Sequence, residues 1–161
     1  MTANIRIGQG FDIHAHVDDL SRKLILGGVE FPNARPLAGH SDADVVAHSI
    51  ADALLGAAGL GDIGEHFPDT DPKHKGVDSL ALLREVVGKL SALGWSVANV
   101  DCSLICEEPK IAPVKGAMQK NLSDIVGAPV TVKGRRAEKL GVIGRGEGIA
   151  CLASALIVKE S

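Results

Sequence analysis

The apolar positions of the chain fall into blocks of two kinds. Ile149 to Val158 is almost unbroken apolar sequence, as a strand covered on both faces would be. Val97 to Ile105 is rich in β-branched residues and reads as another strand, and Leu24–Leu26 as a short one ending at Gly27-Gly28. Pro129 precedes a further strand, Val130-Thr131-Val132-Lys133. Between these blocks the spacing turns helical. From Asp42 to Leu55, Val45, Ser49 and Asp52 share one side while Val46, Ile50 and Leu54 share another. Ser41 or Asp42 can cap this helix, and Gly56, Gly59 and Gly61 end it. A second helix is predicted from Ser79 to Leu93, with Asp78 as N-cap, an apolar stripe of Leu80, Leu83, Val87 and Leu90, and Gly94 as its stop. A third runs from Ile111 to Val126, ending at Gly127. No repeat, low-complexity segment or linker interrupts the pattern. Strands alternate with helices, so the expectation is one α/β domain over residues 1–161, a sheet with helices on one face.

Composition narrows the partners. The formal charge of −3 leaves no basic footprint for nucleic acid or an anionic membrane. Aromatic residues are only 2%, too few for base-stacking platforms, so the core must be Leu, Val, Ile and Ala. Cys102, Cys106 and Cys151 form no CxxC pair and read as buried thiols rather than a disulfide framework. No stretch reaches the ~20 apolar residues of a membrane span. Met1 to Arg6 lacks the apolar core of a signal peptide, and the expectation is a cytoplasmic protein.

The candidate chemistry is concentrated in histidines and carboxylates. Asp12 and His14 are two apart, so on a strand both point to one face. His48 lies four residues after Asp44 and four before Asp52, which stacks the three on one helix face. A strand pair plus one helical histidine supplies three ligands and an open position, the pattern of a catalytic zinc site. Asp44 or Asp52 would then hold the His48 ring. His16 and His74 read as surface residues. The loop Gly61 to Pro72 carries Asp62, Asp69 and Asp71, which suit either turn and helix capping or recognition of sugar hydroxyls. Gly144-Arg145-Gly146-Glu147-Gly148, preceded by the basic run Lys133-Gly134-Arg135-Arg136, suits either turns on a solvated basic face or a phosphate contact.

Taken in order, these segments resemble the 2-C-methyl-D-erythritol 2,4-cyclodiphosphate synthase family of the non-mevalonate isoprenoid pathway. The matching runs are Arg6 to His14, Ala38 to Asp44 with His48, Asp52 to Gly56, Gly61 to Gly64 and Phe67 to Asp71. Pro109-Lys110 and Glu138 to Gly148 complete them. The resemblance implies a compact two-layer α/β sandwich with a mixed four- to five-stranded sheet, three copies forming a trimer with active sites between neighbours. It implies zinc on Asp12, His14 and His48, and magnesium or manganese on Glu138 between the substrate phosphates. Asp12, Ile13 and His14 would also border the substrate. His40, as a catalytic residue, and Ser41 would contact the methylerythritol phosphate. Asp62, Ile63 and Gly64 would hold the ribose, and Phe67, Pro68, Asp69, Thr70 and Asp71 would frame the methylerythritol. Cys106, Pro109, Lys110, Ile111 and Ala112 would line the cytosine pocket, with Arg135, Arg136, Ala137, Glu138, Val142 and Arg145 around the phosphates and nucleotide. Phe11, Arg145 and Glu147 would sit at a central cavity that takes isoprenoid diphosphates. The implied reaction is cyclisation of the cytidine diphosphate ester of methylerythritol 2-phosphate with loss of CMP. A metal-dependent phosphohydrolase and an inactive nucleotide- or isoprenoid-binding trimer are the alternatives.

Three places depart from the family. Gly134-Arg135-Arg136-Ala137 replaces small or hydroxyl residues, Gln9 stands where His is common, and Val142 where an aromatic is common. On an extended chain, Arg136 and Glu138 share a face by parity. That would set the Arg136 guanidinium beside the β-phosphate as a catalytic donor.

Overall fold

The computed structural model describes residues 4–159, so the opening Met1-Thr2-Ala3 of the leader reading lies outside the described residues. The chain forms β1 (Asn4–Ala15), β2 (Leu24–Leu26), β3 (Val29–Phe31), α1 (Val45–Ala58), α2 (Ile63–His66) and a 3₁₀ turn at Pro72–His74. Then follow α3 (Ser79–Ala92), β4 (Ser96–Ile105), α4 (Lys115–Val126), β5 (Val130–Arg135), α5 (Gly141–Gly144) and β6 (Gly148–Lys159). The main sheet has the order β1-β6-β4-β5, with β4 and β5 parallel and the other neighbours antiparallel. A separate hairpin pairs β2 with β3. The sheet is therefore mixed and four-stranded, with α1 packed on its inner face.

The packing distance between β1 and α1 is set by two glycines. A Cβ on Gly8 would lie 1.8 Å from the Ala53 carbonyl oxygen, and one on Gly10 would lie 1.9 Å from that of Ser49. Only hydrogen at these positions lets helix backbone rest directly on strand backbone. Gly10, Asp12 and His14 follow one another on this inner face by the two-residue period of the strand. The core behind them is aliphatic: Ile50, Leu54, Leu83, Leu90, Leu104, Met118 and Leu122 are all fully buried.

Several expected boundaries shift. α1 is capped by Asp44, not Ser41 or Asp42, and runs through Gly56 to end at the left-handed Gly59. Asp42 to Ala43 cannot be helix because Ala43 has φ 60 and Asp44 is extended. α4 begins at Lys115, four residues later than expected, without a side-chain cap. β6 is covered on both faces only from Gly148 to Cys151; beyond that it alternates, with Leu152 and Ser154 outward. The three cysteines are buried free thiols, as their spacing suggested. Among the described residues, no helix is long and apolar enough to cross a membrane.

The outer face of the sheet carries an apolar stripe along β1 and its β6 partners. Ile7 is 75% exposed and Phe11 54%, and Ile5, Ile13 and Leu152 share the same side. Cross-strand partners extend the stripe, since Ile7 lies opposite Leu156 and Phe11 opposite Leu152.

Gly10→Ala is expected to destabilise the protein by about 3 kcal/mol, because the new methyl overlaps rigid helix backbone rather than a movable side chain. Urea unfolding of parent and variant checks this. An unchanged midpoint would mean that the strand-helix contact is looser than its geometry.

Candidate metal centre and flanking cavities

β1 and α1 bring the Asp12, His14 and His48 side chains together from 36 residues of sequence separation. The Asp12 Oδ2 atom lies 3.0 Å from His14 Nε2 and 3.0 Å from His48 Nδ1. One donor atom from each residue falls within 4.8 Å of the others. The remaining nitrogen of His14, Nδ1, lies 2.5 Å from the Ala38 carbonyl oxygen. A carbonyl only accepts, so Nδ1 carries the proton and Nε2 turns its lone pair toward a carboxylate oxygen. Lone pair facing lone pair is repulsive unless a proton or a cation lies between them. The geometry thus calls for positive charge at the point where the three side chains converge.

The titration behaviour agrees. Burial pushes the Asp12 carboxyl up, but hydrogen bonds and charge from His14 and His48 outweigh it and bring it down to about 2. Burial pushes His14 down, yet its hydrogen bond and ion pair with Asp12 win and leave it raised. In the metal-free protein protons supply the positive charge, and a metal ion would displace them.

Neither Asp44 nor Asp52 holds the His48 ring. Asp44, fully buried, takes backbone N–H groups from Gly27 (2.9 Å), Gly28 (2.8 Å), Val46 (3.1 Å) and Ala47 (3.2 Å). It ties the β2–β3 turn to the start of α1. Burial pushes its carboxyl up to about 6 against the pull of the Gly27 and Gly28 N–H groups. Asp52 accepts from the Ile63 N–H at 3.1 Å and so anchors α2. The His48 Nε2 atom instead faces Ser79 Oγ at 2.8 Å and Ser41 Oγ at 3.1 Å.

A cavity of about 310 Å³ opens over the cluster, lined by Asp12, His14, His40, Ser41, His48, Ile63, Gly64, Phe67, Asp69 and His74 among others. A second, of about 210 Å³, is lined by Cys106, Pro109, Lys110, Ile111, Ala112, Arg135 and Arg136, with Glu107 and Gly134. Burial pushes the Cys106 thiol up to about 11, so this residue shapes a wall and is no nucleophile near neutral pH. A larger cleft of about 470 Å³ is lined by His16, Asn33, Arg35, Glu107 and Glu108 among others.

The sequence pattern of the YgbB family matches residues 5–158. The chain belongs to that family. A relative from Azoarcus sp. strain BH72, named 2-C-methyl-D-erythritol 2,4-cyclodiphosphate synthase, is 52% identical over 99% of both chains. One of the same name from Aromatoleum aromaticum is 54% identical over 99% of this chain and 98% of its own. Among solved structures, the bifunctional IspDF from Campylobacter jejuni superposes with a TM-score of 0.93 at 41% identity; it covers 99% of this chain, which spans 44% of that longer protein. The Plasmodium falciparum IspF complex with CDP gives a TM-score of 0.84 at 37% identity over the full length of both.

Within this YgbB chain the remaining expected residues are distributed unevenly. Asp62 caps α2 through the Glu65 N–H, and Asp71 caps the 3₁₀ turn through Lys73, so the capping reading of those two acids holds. Asp69 does line the first cavity, whereas Pro68 and Thr70 are exposed on the loop beside it. His40 Nε2 lies 3.3 Å from the Asp71 carbonyl. Ile13 points to the outer sheet face, opposite His14, where it meets Val142 and Glu147. Arg145 Nε donates to Glu147 Oε1 at 2.6 Å on the surface. The parity linking Arg136 to Glu138 fails, because β5 ends at Arg135 and Glu138 and Lys139 take left-handed φ values of 53 and 62. Ala137 and Glu138 line neither cavity. His74, expected at the surface, packs edge-on against Phe67 and walls the first cavity. Ser79 was missed because a serine after a capping aspartate carries no local signal; only its placement against His48 reveals it.

The metal-free cluster carries a definite pH signature. Asp12 lies below its ordinary value of 3.8, so its contribution to stability is present above that and fades as the pH falls toward 2. His14 lies above 6.5, so its contribution is complete below 6.5 and fades as the pH rises through its raised value. The stability gap between metal-free parent and Asp12→Asn is expected to be widest between about pH 4 and 6.5. Thermal melts across that range check it, and a gap independent of pH would contradict the ion-pair reading.

Proposed function

We propose that this chain converts 4-diphosphocytidyl-2-C-methyl-D-erythritol 2-phosphate to 2-C-methyl-D-erythritol 2,4-cyclodiphosphate with release of CMP, as a phosphorus–oxygen lyase of isoprenoid biosynthesis. The observation that carries the proposal is the three-residue donor cluster opening into a cavity, in a chain more than 50% identical over its length to synthases of that name. The 2-phosphate oxygen attacks the β-phosphorus, the bond from that phosphorus to the CMP oxygen breaks, and no water is consumed. The attacking phosphate is already ionised near neutral pH, so the step needs no strong general base.

Two imidazoles and one carboxylate with an open side suit zinc. Zinc held by Asp12, His14 and His48 would neutralise phosphate charge and act as a template, and magnesium or manganese held by Glu138 would add to that neutralisation. His40 and Ser41 border the methylerythritol phosphate, while Asp62, Ile63 and Gly64 present backbone and side chain to the ribose. Phe67 closes the first cavity and excludes water from the reacting groups. Cys106 through Ala112 accept the cytosine in the second cavity. Arg135 and Arg136 line that same cavity, where a guanidinium supplies fixed positive charge as the β-phosphate changes partners. Holding both phosphates in line provides proximity.

The working unit is a homotrimer of one-domain chains, with sites completed between neighbours. The exposed apolar stripe on β1 and the absence of Glu138 from the cavity over the metal cluster support this. Phe11, Arg145 and Glu147 lie on or beside that face and would border a central cavity that accepts an isoprenoid diphosphate. The chain would work in the cytoplasm.

Incubation with the cytidine substrate is expected to yield the cyclic diphosphate and CMP in equal amounts; hydrolysed fragments would instead indicate a phosphohydrolase. In the same assay His48→Ala should lose stoichiometric zinc and turnover while keeping its circular dichroism, and Arg136→Ala should lower kcat on the order of 10²–10³. An Arg136 variant within a few-fold of the parent would make that arginine a surface charge.

Sedimentation equilibrium is expected to give three times the chain mass of 16.7 kDa. A fully active monomer would end the shared-site reading.

A further inference from the structure

We propose that Ser79, backed by Asp42, is a positioning residue that fixes the His48 ring for its metal; this rests on the reading of Asp12, His14 and His48 as ligands. An imidazole that ligates through one nitrogen keeps an N–H on the other, and that proton needs an acceptor in a fixed place. His48 turns Nδ1 to the cluster, 3.0 Å from Asp12 Oδ2. Its Nε2 points the other way, 2.8 Å from Ser79 Oγ.

A hydroxyl can donate or accept, and the surroundings of Ser79 decide which. Its Oγ donates to Asp42 Oδ1, which leaves only lone pairs to offer His48. Ser41 Oγ accepts the Ala43 N–H at 3.2 Å and lies 3.1 Å from His48 Nε2, a longer second acceptor; with the Ser79 proton on Asp42, the Ser41 proton is the one left for the 3.3 Å contact between the two hydroxyls. Ser79 Oγ then donates once and accepts twice, its full capacity. Asp42 is itself held, taking the Ser79 backbone N–H at 3.1 Å and that of Asp44 at 3.2 Å. Ser79 is 1% exposed, so water does not compete for these bonds.

The Ser79 hydroxyl is not needed to begin α3. Asp78 already caps that helix by accepting the Leu80 N–H at 2.8 Å. The hydroxyl is therefore spent on His48, and its effect should appear in metal affinity rather than in helix content. Loss of such a partner to a ligating histidine typically weakens metal binding by about 10- to 100-fold.

The test is zinc affinity of the full-length parent, Ser79→Ala, Ser79→Thr and Asp42→Asn, read by competition with a chromophoric chelator, beside melts of the metal-free proteins. Ser79→Ala and Asp42→Asn are expected to bind zinc about 10- to 100-fold more weakly, and Ser79→Thr within about threefold of the parent, with every metal-free protein still melting in one cooperative step well above the assay temperature. Parent-like affinity in Ser79→Ala would overturn the proposal, as would equal losses in the Ala and Thr variants, which report packing rather than a hydrogen bond. A parent that takes up no zinc would instead overturn the ligand reading itself.

Discussion

Everything in this site hangs on how closely α1 lies against β1. The two backbones touch because Gly8 and Gly10 present no side chain where Ala53 and Ser49 offer carbonyl oxygens. The same separation places His48, the neighbour of Ser49 on the helix, within hydrogen-bond reach of Asp12, two residues on from Gly10. A wider spacing would leave the three donor atoms too far apart to share one ion. The glycines thus act at a distance from the chemistry, as a spacer whose thickness is a single backbone.

The orientation of that helix is fixed by a second device. Asp44 caps α1 with one carboxylate oxygen and reaches the left-handed Gly27-Gly28 turn with both. A buried charge is tolerable only because four backbone N–H groups surround it. This anchor works through backbone atoms, so the sequence shows the aspartate but not its partners. Helical spacing made Asp44 look like a side-chain neighbour of His48, and the left-handed Ala43 that displaces it from the helix is invisible to periodicity.

What was readable followed from period. The two-residue spacing of Asp12 and His14 and the helical setting of His48 sufficed to name the donor set, because faces of strands and helices are local properties. The apolar blocks located the principal elements for the same reason. What was not readable depended on loops. The turn after β5 defeats a parity argument because Glu138 and Lys139 adopt a conformation that only torsion angles reveal. Ser79 and His74 join the site through tertiary placement, with nothing in their flanking residues to mark them.

That turn after β5 has a consequence for how the protein could change. Two successive non-glycine residues in the left-handed region carry roughly 1–2 kcal/mol each of steric penalty. Glycine would relieve it at either position. The chain keeps instead a carboxylate and an ammonium, beside Glu107, whose side chain receives the Lys139 N–H at 3.2 Å. Backbone ease and side-chain charge therefore pull in opposite directions at this one bend. A population selected only for survival at high temperature could exchange that strain for glycine there, giving up the two charges.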